Sequence, residues 1–180
     1  MLCQLAVMVR WVIFGIDIKM FNNRISYVNQ LTSGSIPVAG YITPPQIATA
    51  YNIPAHNGQG IRVGIISLGG GFLQSDLDKS MTDMGLPSPT ITQILLDGET
   101  GTFDSTDNAS VENTLDIYCV ASMVPMADIR IYISSNSFQG FNDAIFQAVA
   151  DNCDAITISW GVDEAVGNGD FLKIALDAAA

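Results

Sequence analysis

Two carboxylates four residues apart, in the run Glu112-Asn113-Thr114-Leu115-Asp116, are the side chains of this sequence best spaced to do chemistry together. Residues i and i+4 of a helix lie side by side on one face, so this spacing presents both acids to the same neighbour. Like charges so placed destabilise a helix unless its N-terminal dipole or a cleft compensates. An acidic patch in water at a helix start satisfies the spacing as well as a functional pair does. The neighbours argue for more: Leu115, Ile117, Tyr118 and Val120 make the helix apolar almost all round, which predicts that its carboxylates sit in a cleft. Close carboxylates in a cleft share protons, one ionising at the other's expense, and that suits acid–base work below neutral pH.

A pair on a helix needs a frame to hold it. Thr43-Pro44-Pro45 before Gln46–Tyr51 gives an N-cap, a proline at the first helical position and a short helix. Ile61–Leu68 is a nearly continuous apolar run ending in Gly69-Gly70-Gly71, the pattern of a strand buried on both faces. Further strands are expected at Ile91–Leu96, Ile129–Ser134 and Ala155–Trp160. Helices are expected at Ser75–Met84, with Ser75 as N-cap, at about Ser110–Met123 and at Phe138–Ala150. The acidic stretch Asp97–Ala109 reads as an exposed loop. Alternation of strand and helix predicts an α/β fold, a mainly parallel sheet with helices on both faces. The segment 1–40 reads as a separate N-terminal piece, and the chain stops in mid-helix by pattern at Ala178-Ala179-Ala180, which suggests a fragment of a longer reading frame.

Composition narrows the partners. The chain has 180 residues and a formal charge of −11, and nothing in it could neutralise a run of phosphates, which excludes DNA and RNA. Residues 1–60 hold three bases and one acid, whereas residues 61–180 hold four bases and seventeen acids, so most carboxylates of the second part must be solvated rather than paired. Cys3, Cys119 and Cys153 have no metal-ligand spacing and read as buried free thiols. The apolar stretch Met1–Ile16 is interrupted by Arg10 and makes neither a good signal peptide nor a membrane span.

The order of motifs resembles the sedolisin family of serine-carboxyl peptidases, most closely its kumamolisin branch. It runs from Thr43-Pro44-Pro45-Gln46 through Gly60-Ile61-Arg62-Val63-Gly64-Ile65-Ile66, Leu68-Gly69-Gly70-Gly71-Phe72 and Gly85-Leu86-Pro87 to Glu112-x-x-x-Asp116-Ile117. It ends in Gln139-Gly140-Phe141-x-Asp143-Ala144-Ile145 and Ile156-Thr157-Ile158-Ser159-Trp160-Gly161. The likeness covers residues 41–180 and implies the N-terminal part of a subtilisin-like catalytic domain, with 1–40 as propeptide tail or N-terminal extension. It implies an acid endopeptidase acting on protein or peptide, monomeric and extracellular, through a Ser-Glu-Asp triad in which Glu112 is the general base and Asp116 orients it. A carboxylate with a pKa near about 4 stays unprotonated in acid, where a histidine near about 6.5 is already charged and useless as a base.

The nucleophilic serine, the oxyanion aspartate and the calcium loop that the resemblance implies would all lie beyond Ala180, so these 180 residues carry no metal or cofactor site and are expected to be inactive by themselves. Thr32-Ser33-Gly34-Ser35 echoes the nucleophile motif but reads as a turn. Ser67 stands where kumamolisin-like members carry a glutamate that extends the carboxylate network through the tryptophan matching Trp160; Ser67 and Trp160 are therefore expected to support the pair. By residue type Trp160 fits a core as well as a cleft. Other readings stay open: a non-catalytic remnant or peptide-binding module of the same fold, and a nucleotide-binding module using Gly69-Gly70-Gly71. A His-dependent subtilisin-type enzyme would need an Asp at position 67, and the sole histidine, His56, lies in a Pro/Gly loop.

Overall fold

The computed structural model describes residues 42–161 and 177–178. The expectations for 1–40, and for the chain end apart from the helical Asp177 and Ala178, lie outside the described residues. The described residues divide between His56 and Asn57 into two compact units. In the first, helix α1 (Pro44–Ala50) starts as the Thr-Pro-Pro-Gln spacing implies, with the Thr43 N–H donating to Gln46 Oε1 at 2.8 Å.

The second unit runs β1 (Arg62–Leu68), α2 (Gln74–Asp83), β2 (Thr92–Leu95), α3 (Asn108–Met123), β3 (Asp128–Ser134), α4 (Phe138–Ala150) and β4 (Ala155–Ile158). The four strands form one parallel sheet in the order β2-β3-β1-β4. Alternation along the central strands feeds two cores. Val63 and Ile65 of β1 and Ile129, Ile131 and Ile133 of β3 pack with Leu77 and Met81 of α2 and Ile117 and Ala121 of α3. Ile66 and Tyr132, one residue out of phase, pack on the other face with Ala144, Ile145 and Ala148 of α4. Burial on both faces is why β1 reads as an unbroken apolar run.

Several element ends differ from the sequence reading, and each difference has a local cause. Ser75 is not an N-cap: α2 begins at Gln74 after Leu73, and the Gln74 amide accepts from the Ile91 N–H at 3.1 Å and donates to the Pro89 carbonyl at 2.9 Å, tying the helix start to the approach to β2. α3 begins two residues before Ser110, because the Asp107 carboxylate accepts from the Ala109 and Ser110 N–H groups. Ser110 Oγ is left to accept from the Gly71 and Asp104 N–H groups, joining three segments. β4 ends at Ile158, and Ser159 and Trp160 follow it.

The glycine run after β1 has a packing role. A Cβ on Gly71 would collide with the Gly101 carbonyl oxygen and stand 2.7 Å from Phe103 N; one on Gly70, at φ +70°, would meet Ser110 N at 2.6 Å. The Gly71 N–H is already taken by Ser110 Oγ at 3.1 Å, so it is not free to meet a phosphate. Because the obstacles are backbone, Gly71→Ala is expected to destabilise the unit by about 3 kcal/mol. Urea unfolding checks this, and a change under about 0.5 kcal/mol would contradict it.

At the N-terminal edge of the sheet the scarce bases are paired: Arg62 Nε with Asp128 at 2.7 Å, and Arg130 with Asp128 at 3.1 Å and with Asp151 at 3.2 Å. This network lies at the opposite edge from the strand ends that carry the site.

Candidate functional site

The first half of α3 lies at the C-terminal ends of the strands and carries both carboxylates on one face. Asp116 is 9% exposed and Glu112 is half-buried. Ser159, one residue past β4, donates its hydroxyl to Asp116 Oδ1 at 2.7 Å. Asp116 Oδ2 is buried and has no hydrogen-bond partner among the described residues. Burial pushes the Asp116 carboxyl up to about 6, against the pull of Ser159, and the neighbouring Glu112 charge adds to the rise. Burial also raises Glu112, and the Ser159 hydroxyl, which can turn to either acid, opposes the rise. The sequence left open which acid would be raised. Desolvation decides it, because Asp116 lies one turn deeper toward the end of β4.

The same strand ends hold a carboxylate with the opposite tuning. Asp97 accepts from Ser134 Oγ at 2.6 Å and from Ser135 Oγ at 3.1 Å, and these bonds hold it below the usual carboxylate range. Exposure and two donors favour its charged form, whereas burial with one donor disfavours that of Asp116.

The helix is not apolar all round in its setting. Val111 and Leu115 are 55% and 46% exposed, forming an outward stripe beside the pair. Two surface depressions, of about 410 Å³ around Gly60, Arg62 and Asp154 and about 440 Å³ around Leu96, Asp143 and Phe146, touch neither carboxylate. Cys119, one turn beyond Asp116 and two beyond Glu112, is half-buried rather than buried, as is Cys153, and both are free. Burial and the two nearby carboxylates push the Cys119 thiol up, so it stays protonated and is no nucleophile.

Ser67 and Trp160 stand near the strand ends with different partners. No hydrogen bond joins them among the described residues: the buried Ser67 hydroxyl donates to Asn113 Oδ1 on α3, while the Nε1 of the half-buried Trp160 is buried with no partner. His56 is exposed in the first unit. Among the described residues no group of three or more His, Cys, Asp or Glu could hold a metal ion. Sequence reasoning missed Ser159 as a partner of Asp116 and overlooked Asn113. The signal for Asn113 was a polar residue at a core-facing helical position.

Known proteins share the sequence pattern and the fold. No protein-family model matches the chain. It is 34% identical over 127 residues to kumamolisin from Bacillus sp. (strain MN-32), an alignment covering 68% of this chain and 23% of that protein's length. The fold matches Pseudomonas sedolisin, a serine-carboxyl proteinase solved with two molecules of pseudo-iodotyrostatin, with a TM-score of 0.66, 24% identity, and coverage of 79% of this chain and 42% of that one. A parallel four-stranded sheet with helices on both faces, a subtilisin-like architecture, and the ordered motifs from β1 to β4 lead to one conclusion: the chain carries a kumamolisin-like partial domain of the sedolisin family.

Proposed function

We propose that the chain contributes the acid–base half of a serine-type endopeptidase that works in acid, with Glu112 as general base and Asp116 as the group that orients it. The observation that carries this reading is the pair itself, adjacent on one helix, with Asp116 sunk at the strand ends and held by Ser159. In the proposed reaction a serine hydroxyl from sequence following Ala180 attacks the scissile carbonyl of a peptide. Glu112 takes the hydroxyl proton during the attack and returns it to the leaving amine, and water then releases the acyl group by the same route. Glu112 must be ionised to act. Asp116, neutral below about 6, leaves Glu112 as the only negative charge of the pair, so its ionisation is not opposed by a second one. The working window therefore opens as Glu112 ionises beside a still-neutral Asp116.

The experiment is to express the longest reading frame that contains these residues and assay hydrolysis of denatured protein from pH 3 to pH 8. Hydrolysis confined to acid, together with covalent labelling by a serine-directed inhibitor, is the expected result. Activity that persists at pH 8, or that is lost on chelation of a transition metal, would reject this mechanism.

A further inference from the structure

Ser67 and Asn113 are fully buried and polar, and the proposed proton transfers use neither. The last rung between β1 and β4 joins Ile66 to Ile158. The next residue along each chain is a serine, Ser67 on β1 and Ser159 beyond β4, so two hydroxyls stand at adjacent strand ends. Adjacent strands are about 4.8 Å apart, and residues three apart on a helix are about 5–6 Å apart at Cβ. Those spacings match, and the two serines hold two residues one turn apart on α3. Ser67 donates to Asn113 Oδ1, and Ser159 donates to Asp116 Oδ1 at 2.7 Å. Asn113 Nδ2 in turn donates to the Gly69 carbonyl at 3.0 Å, so the amide spans the exit of β1.

We propose that Ser67 and Asn113 are positioning residues, a neutral latch that sets the height and rotation of the first half of α3 at the ends of β1 and β4 and so keeps Asp116 on Ser159 and Glu112 beside it. The inference rests on the reading of Glu112 and Asp116 as a working pair. It differs from that reading in what it needs: the latch acts on the geometry of the pair, whether or not a nucleophile is supplied. Neither Ser67 nor Asn113 titrates in the range where Glu112, Asp116 and Asp97 do, so the helix keeps its place through every protonation state of the carboxylates.

The test is a carboxyl-carbon NMR titration of the 180-residue chain and its Ser67→Ala variant, with melting temperatures recorded alongside. Loosening the latch weakens the Ser159 bond that favours ionised Asp116. The Asp116 midpoint is then expected to rise by about half a pH unit, while that of Asp97, tied to Ser134, stays put. A lower melting temperature with unmoved Asp116 and Glu112 midpoints would reduce the latch to plain structural support and overturn the proposal. A second arm needs no variant: in the unaltered chain the Asn113 side-chain amide protons are expected to exchange slowly from pH 4 to pH 7, and fast exchange would overturn it equally. Neither arm reads hydrolysis, so failure of the peptidase reading and failure of the latch are told apart.

Discussion

Glu112→Gln in the longest reading frame is expected to lower kcat/KM for peptide hydrolysis by about 10³–10⁴-fold at the acid optimum, with little change in KM. Glutamine fills the same volume on α3 and keeps a hydrogen-bonding amide, so the fold and substrate contacts persist. It cannot accept a proton from a serine hydroxyl, and that alone removes the general-base contribution. The loss should also be flat across the acid range, because the group whose ionisation opens the window is gone. A variant with at least a tenth of the parent activity would reject Glu112 as the base. Loss of activity accompanied by loss of the fold, read by circular dichroism, would reject the assumption that the site tolerates an isostere.

Asp116→Asn is expected to make the sheet unit more stable at neutral pH, an outcome opposite in sign to most buried substitutions. Burial raises the folded carboxyl to about 6, while the unfolded group titrates near 3.8. Between those values the folded chain binds the proton more tightly, so the native stability falls as pH rises from about 4 to about 6. The full span corresponds to about 3 kcal/mol, an upper bound that relaxation around the site reduces. Asparagine stays neutral throughout and can still accept from Ser159 through its Oδ1. The variant should therefore match the parent near pH 4, exceed it at pH 7 by a few kcal/mol at most, and lose the decline between. Below about pH 4 both proteins should weaken together, because Asp97, Asp104 and Asp128 are held below their usual range and become protonated there only at the expense of folded-state bonds. Urea unfolding at four pH values decides it; parallel profiles for the two proteins would show that Asp116 is not charged and buried in the folded chain.

These expectations draw on two kinds of information. The sequence by itself determined everything that depends on spacing within one segment. The i, i+4 acids had to share a helical face, the apolar run 61–68 had to be a strand covered on both sides, and Thr43-Pro44-Pro45-Gln46 had to start a helix. Such patterns are local and follow from backbone periodicity. The helix and strand order then gave the parallel sheet. Only the tertiary structure decided which hydroxyl meets which polar side chain. Ser67 bonds Asn113 and Ser159 bonds Asp116, and neither pairing follows from the motif in which its serine stands. Both pairings join residues more than forty positions apart, and both depend on the register of β1 against β4 and on the rotation of α3 above them. Neither quantity is written in any one segment, because each is set by the joint packing of Val63, Ile65, Ile117 and Ala121 in the core beneath. The same packing carried Asp116 into the interior and left Glu112 half in water, and that difference in burial, invisible in two acids four residues apart, sets their different affinities for a proton.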